Sequence, residues 1–151
     1  MDFKNVFDEI RVFLESDNLN KADALKGVME ILKEKVYHYD WVGVYELDSI
    51  SKNLQLGPFV GKDTDHVVIP VGKGVCGQVA ESNRTMIVQD VKQESNYISC
   101  SIDVQAEIVV PIKKDGVFVA EIDIDSNSPS PFEEADKTFL ESVANLLSCY
   151  Y

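Results

Sequence analysis

The sequence is short of cysteine, short of basic residues and without a long apolar run, and each shortage narrows what the chain can be. Its three cysteines, Cys76, Cys100 and Cys149, are odd in number and scattered. Such a set is not the disulfide framework of a secreted domain. No two of them form a CxxC pair, and His38 and His66 are not spaced with them as ligand pairs, so no metal is expected. Lys and Arg number 14 against 26 acids, a formal net charge of −12. That surface repels phosphates, which argues against nucleic acid and anionic membranes; beyond this, acidity speaks mainly to solubility. No apolar stretch approaches the length of a membrane span. The opening MDFKNVFDEI mixes acids with apolar residues and lacks a basic-then-apolar signal. A cytoplasmic protein is expected. Internal repeats, low-complexity tracts and linkers are also missing, so the 151 residues read as one domain over 1–151.

What is present is an ordinary globular composition, 45% hydrophobic, arranged as helices at both ends and strands between. Phe3, Val6, Phe7, Ile10, Phe13 and Leu14 recur at helical spacing. A second helix starts near Lys21, carries Leu25, Val28, Met29, Leu32 and Val36 on one side, and ends near Tyr37 or His38. WVGVYEL from Trp41 and NLQLGPFV from Asn53 read as a strand pair, and VVIP from Val67 as a short strand. The glycine-rich GKGVCG leads into a short helix, QVAES, followed by the strand TMIV from Thr85 and a mixed loop, DVKQESNYISCS. AEIVVPI and GVFVAEIDID form a hairpin about Asp115-Gly116, a strong turn signal. In the last helix Ser130 is placed to N-cap, Pro131 to take the first helical position and Glu133 to complete a capping box. Phe139, Leu140, Val143, Leu146 and Leu147 then make its apolar stripe. The fold class is α+β. A central, mainly antiparallel sheet has the terminal helices on one face and leaves the other for a pocket or for water.

Several residues are of types that carry chemistry. In EIDID, alternation puts Glu121, Asp123 and Asp125 on one face of a strand. The plain reading is a solvated sheet face; the alternative is a polar pocket. Glu107 opens the preceding strand and reaches the same place if the hairpin register allows. Trp41 and Tyr45 share a face, either as core packing or as one wall of a small-molecule pocket. Cys76 sits where glycines bend the chain and a helix begins, a setting that favours a thiolate; the plainer reading is a packed cysteine at a turn. The segment lacks the lysine-serine or lysine-threonine of a phosphate-binding loop. Cys100 is flanked by serines in NYISCSID, a polar setting that suits a reactive thiol. A catalytic disulfide needs the fold to bring the two cysteines together, which separation in sequence does not show. His38 is expected at a helix end, where its charge suits the dipole, and His66 at a strand edge.

Taken in order, WVGVY, GPFVGK, IPVGKGVCG, ISCSIDVQAEIVVPI and DIDS resemble the free methionine-(R)-sulfoxide reductases, a catalytic branch of the GAF domain superfamily. These pieces run from Trp41 to Ser126, and the terminal helices match in placement. The resemblance implies a single GAF domain with no bound cofactor. It implies that Cys100 is the nucleophile and Cys76 the resolving cysteine. It gives Glu107, Asp123 and Asp125 as substrate-binding acids, Trp41 and Tyr45 as the aromatic wall, and backbone around Ile98, Ser99 and Cys100 as the carboxylate holder. It further implies a Cys76–Cys100 disulfide recycled by thioredoxin or a similar dithiol, and a homodimer through the terminal helices. Local physics alone gives Cys76 the better case for a lowered pKa; the resemblance makes Cys100 the attacker.

The chain departs from the family pattern in places. Glu121 stands where an apolar residue is usual, and is expected at the pocket rim or in solvent. Met86 replaces a further cysteine, and Ser99-Cys100-Ser101 stands where Ala-Cys-Asp is common. Cys149 has no counterpart and reads as structural or incidental. Two other functions remain open on the sequence: a non-catalytic GAF sensor for a small ligand, and a redox sensor switched by a Cys76–Cys100 disulfide. The first has no need of two cysteines, and the second none of the acids.

Overall fold

Two N-terminal helices begin on side-chain caps. In α1 (Phe3–Leu14) the Asp2 carboxylate accepts from the Asn5 N–H at 3.2 Å, and in α2 (Lys21–Lys35) the Asn20 side chain accepts from the Asp23 N–H at 2.8 Å. The structure, a computed structural model, describes residues 1–98 and 102–151. Ser99, Cys100 and Ser101 lie outside the described residues. The second helix stops earlier than the periodicity predicts, because Val36 takes an extended conformation (φ −112°, ψ 106°) and is buried.

Six strands follow: β1 (Trp41–Asp48), β2 (Asn53–Val60), β3 (Val68–Pro70), β4 (Met86–Val88), β5 (Ala106–Lys114) and β6 (Val117–Ser126). They lie in the order β3-β2-β1-β6-β5-β4, and each neighbouring pair is antiparallel. The helix α3 (Gly74–Ser82) falls between β3 and β4, and α4 (Glu134–Leu147) follows β6. The helix predicted for QVAES thus begins sooner and takes in Val75, Cys76 and Gly77. Asp115 and Gly116 both have positive φ, 53° and 79°. This is the two-residue hairpin turn that the Asp-Gly pair favours.

Strand alternation divides the molecule into two cores. On one face Val42, Val44, Ile108, Val110, Ile122 and Ile124 pack against Leu25, Val28, Met29 and Leu32 of α2, Ile10 of α1, and Leu140, Val143 and Leu147 of α4. The terminal helices therefore cover a single face, as their placement in the sequence implied. On the other face Trp41, Tyr45, Leu54 and Val109 pack beneath Val75, Cys76 and Val79 of α3.

The start of α4 differs from expectation. Ser130 is in the left-handed region (φ 47°) and caps nothing; Glu133 is the N-cap, in a reciprocal box with Asp136. Phe132 is pinned in the core, so the helix begins beyond it. His38 departs too. It lies in the turn beyond α2, buried, with Nε2 at 2.7 Å from Asp136 Oδ1, and Tyr39 donates its hydroxyl to the same oxygen at 2.8 Å. Burial opposes ionisation of Asp136. The hydrogen bonds from His38, the Glu133 N–H and Tyr39 outweigh it and hold the carboxyl below its ordinary range. The partner of His38 is thus a carboxylate rather than the helix dipole.

Helix α3 approaches the preceding turn without room for a side chain at Gly77. A Cβ there would meet the Pro70 carbonyl oxygen at 2.7 Å and the Gly72 nitrogen at 2.9 Å. The same contact is tied by the Gly72 N–H donating to the Gly77 carbonyl at 2.8 Å. Gly77→Ala is expected to destabilise the chain by about 1–3 kcal/mol, since backbone must shift to admit the methyl. Denaturant melts should show a lower midpoint with an unchanged slope.

Candidate active site beneath helix α3

The site is built from sheet register. Residues paired across antiparallel strands share a face, and three successive rows run across the strands on the α3 side. The first row is Trp41–Asp125–Glu107, the second Gly43–Asp123–Val109, the third Tyr45–Glu121–Pro111. The place of Glu107 depends on an irregularity. Near the turn Lys113 pairs with Phe118, but beyond the shift between Ile112 and Lys113 the partner of Ile112 is Ala120. An unbroken count would set Glu107 opposite Ile124, on the apolar face. The bulge sets it opposite Asp125 instead.

Four acids therefore sit on one dry surface. Glu107, Glu121, Asp123 and Asp125 are all 3% exposed or less. This corrects the rim position expected for Glu121, which is fully buried and interacts with the Cys76 thiol. Nothing in EIDIDS distinguishes Glu121 from its neighbours; only the position of α3 over that row does.

Above the acids lies the first turn of α3, with Cys76 buried among them. The Sγ of Cys76 and one carboxylate oxygen each of Glu107 and Asp123 lie within 4.8 Å of one another. A cavity between them is lined also by Tyr45, His66, Ile69, Lys73, Gly74 and Ile98. It offers about 10 Å³ to water-sized occupants, room for about one water. Trp41 and Asp125 share the row of Glu107 but do not line the cavity.

The aromatic side chains hold the roof by their polar tips. Trp41 donates its indole N–H to the Lys62 carbonyl at 3.0 Å, and Tyr45 donates its hydroxyl to the His66 carbonyl at 2.8 Å. The Trp41 ring lies across Gly43, where a Cβ would come within 2.4 Å of it, and stacks on Phe59 at 5.5 Å. His66 is therefore a cavity residue ahead of β3 rather than the edge of a strand.

A second tie was not foreseen from sequence. The Gly74 N–H donates to the Asn96 side-chain oxygen at 2.9 Å, and the Asn96 amide donates to the Gly72 carbonyl at 3.0 Å. Asn96 thus clamps the glycine turn before α3 to the loop that carries Tyr97 and Ile98. One asparagine in a polar loop gives no periodic signal, so only the fold finds it.

Electrostatics reverse the expectation of a Cys76 thiolate. A helix N-terminus stabilises an anion by about 0.3–2 kcal/mol. Full burial moves a pKa by up to about 3–5 units, roughly 4–7 kcal/mol. Burial comes first in pushing the Cys76 thiol well above its ordinary range, and Asp123, Glu121 and Glu107 add to it. Burial likewise raises Glu121 and Asp123 well above the usual carboxylate range, aided by Asp123 and Asp125 respectively, while hydrogen bonding with Cys76 pulls both partway back. The site thus favours the thiol form of Cys76 and the protonated forms of Glu121 and Asp123. Cys149, by contrast, is exposed at the C-terminal end rather than buried.

The arrangement is that of a GAF domain. The GAF domain model matches residues 21–149 of the chain. A free methionine-R-sulfoxide reductase of Saccharomyces cerevisiae is 38% identical over 138 residues, spanning 89% of this chain and 75% of the yeast protein. One of Escherichia coli is 33% identical over 119 residues, 79% of this chain and 70% of that protein. The crystal structure of the Neisseria meningitidis free methionine-R-sulfoxide reductase in complex with its substrate superposes with a TM-score of 0.92 at 33% identity, covering 98% of this chain and 87% of that one. Within the GAF family, the chain belongs to the free methionine-R-sulfoxide reductases.

The raised carboxyl groups fix the sign of a pH effect. An acid with a folded pKa above its unfolded value binds more protons in the native state. Its stabilisation is complete below the unfolded pKa and is lost as pH rises toward the folded one. Stability is therefore expected to fall as pH rises above the ordinary glutamate value of 4.5. Glu121→Gln, which cannot ionise, should flatten that slope and raise the melting temperature most at the alkaline end. Thermal melts across pH of both proteins measure it.

Proposed function

We propose that the chain reduces free L-methionine-(R)-sulfoxide to L-methionine with a thiol chemistry shared between Cys100 and Cys76. The observation that carries the reading is Cys76 buried against a stack of acids, a setting that favours its thiol form. A thiol with a raised pKa is a poor first nucleophile. That favours Cys76 as the resolving cysteine and leaves attack to Cys100, two residues beyond the cavity-lining Ile98 in the sequence.

The Cys100 thiolate attacks the sulfoxide sulfur while a buried carboxylic acid, Asp123 or Glu121, protonates the oxygen. Methionine leaves and the oxygen stays on Cys100 as a sulfenic acid. Cys76 displaces it as water, giving the Cys76–Cys100 disulfide. An external dithiol such as thioredoxin returns both thiols, supplying the two electrons of the cycle. Glu107 or Asp125 receives the substrate ammonium, backbone from Ile98 to Cys100, including Ser99, its carboxylate, and the wall of Trp41 and Tyr45 the S-methyl group. The cavity holds about one water, so an amino acid enters only as the roof moves outward. A homodimer through the terminal helices fits the apolar groove lined by Phe3, Phe7 and Phe139.

Coupled turnover with thioredoxin, thioredoxin reductase and NADPH tests the reading. Free (R)-sulfoxide should consume NADPH, and the free (S) epimer and a peptide-bound sulfoxide should not. Cys100→Ser should lower turnover by about 10³-fold or more. Cys76→Ser should release one equivalent of methionine and leave a sulfenic acid that dimedone traps, without cycling. No turnover by folded, fully reduced protein with two different dithiol donors would sink the proposal.

A further inference from the structure

The fold brings together three atoms that sequence spacing kept apart. Cys76 comes from a helix, Glu107 from the start of β5 and Asp123 from the middle of β6. Their Sγ and carboxylate oxygens lie within 4.8 Å of one another, all buried. A tetrahedral zinc ion, with Zn–S about 2.3 Å and Zn–O about 2.0–2.2 Å, spaces its ligand atoms roughly 3.3–3.8 Å apart. A contraction of about 1 Å would close the present triangle on such an ion.

A separate observation points to a cation here. Asp123 Oδ1, buried on the cavity wall, has no hydrogen-bond partner among the described residues, and the buried Glu121 carboxyl group nearby has the Cys76 thiol as its hydrogen-bonding neighbour. Buried polar atoms of this kind are normally satisfied. The basic side chains on the cavity lining are Lys73, which is exposed, and His66, which is half-buried. From these observations we infer that Cys76, Glu107 and Asp123 form a binding site for a thiophilic divalent cation, of which zinc is the type. The remaining space, about 10 Å³, suits one water as the fourth ligand. A thiolate donor and so tight a space disfavour calcium and magnesium, which take oxygen ligands and keep more of them.

Binding is an exchange of protons for metal, with no change of oxidation state. The Cys76 S–H bond breaks, its proton passes to solvent, and a sulfur–metal bond forms. Any protonated carboxyl group that ligates releases its proton in the same way. Where the reductase reading holds, on which this consequence rests, the ion occupies the resolving thiol and the acids that take the substrate. It therefore inhibits reversibly, and a Cys76 disulfide excludes it.

The test uses the full chain, fully reduced and free of oxygen, titrated with cobalt(II) and then zinc(II). Cobalt should saturate at one equivalent per chain, with thiolate-to-cobalt charge-transfer absorption and tetrahedral visible bands that zinc removes. Cys76→Ser should abolish the charge-transfer band, while Cys149→Ser and Cys100→Ser should keep it. Glu107→Gln and Asp123→Asn, judged separately in case the serine variant misfolds, should each weaken binding about tenfold or more. The inference is overturned if reduced wild-type protein gives no thiolate band, if the band survives Cys76→Ser, or if both carboxylate variants bind as the parent does. Protein that turns over sulfoxide without binding cobalt loses this site alone. Protein that binds cobalt without turnover keeps it and loses the reductase reading.

Discussion

Burial of Glu121, Asp123 and Asp125 deprives their ionised forms of hydration, and much of the chemistry of the molecule follows from that cost. A carboxylate in a dry interior needs a cation or several donors, and a carboxylic acid needs far less. Glu121 and Asp123 therefore favour their protonated state. Cys76, set among them, favours its thiol. One environment supplies both a proton source and a sulfur that does not attack prematurely.

The fold spends its other irregularities on placing those groups. The helix-facing core is regular, with aliphatic residues of β1, β5 and β6 under three helices. The site-facing core contains the exceptions: a bulge in β6 at Val119, a glycine under the Trp41 ring, a glycine where α3 meets its preceding turn, and an asparagine bridging two loops. Each does something that a regular strand or helix cannot. Together they bring α3 down onto the acidic rows and leave a small cavity at Cys76.

The regular half was legible in the sequence and the irregular half was not, for a physical reason. Apolar periodicity reports which side of an element is buried, so the strands, the terminal helices and the hairpin turn could be read from spacing. The alternation in EIDID also put three acids on one face. It could not report what lies over that face, so Glu121 read as rim although α3 covers it. The same gap made Cys76 read as a helix-end thiolate: the dipole is a local property, while the acids beneath belong to strands far away in sequence. Ser130 read as a cap because Pro131 and Glu133 follow it, but the burial of Phe132 moved the helix start beyond them. The family resemblance supplied roles where periodicity stopped, including that of Cys100, whose position lies outside the described residues.

The place of β6 between β1 and β5 has a consequence during synthesis. The strand that carries the acids is the last of the six to be made, yet it occupies the middle of the sheet. Cys76 thus leaves the ribosome before the groups that neutralise it exist. At about 5–20 residues per second the interval is a matter of seconds. For that time the thiol is solvated, ionises as any cysteine does, and is open to oxidants. The nascent chain passes through a window of chemical vulnerability that closes only when the final strand slots into the centre of the sheet.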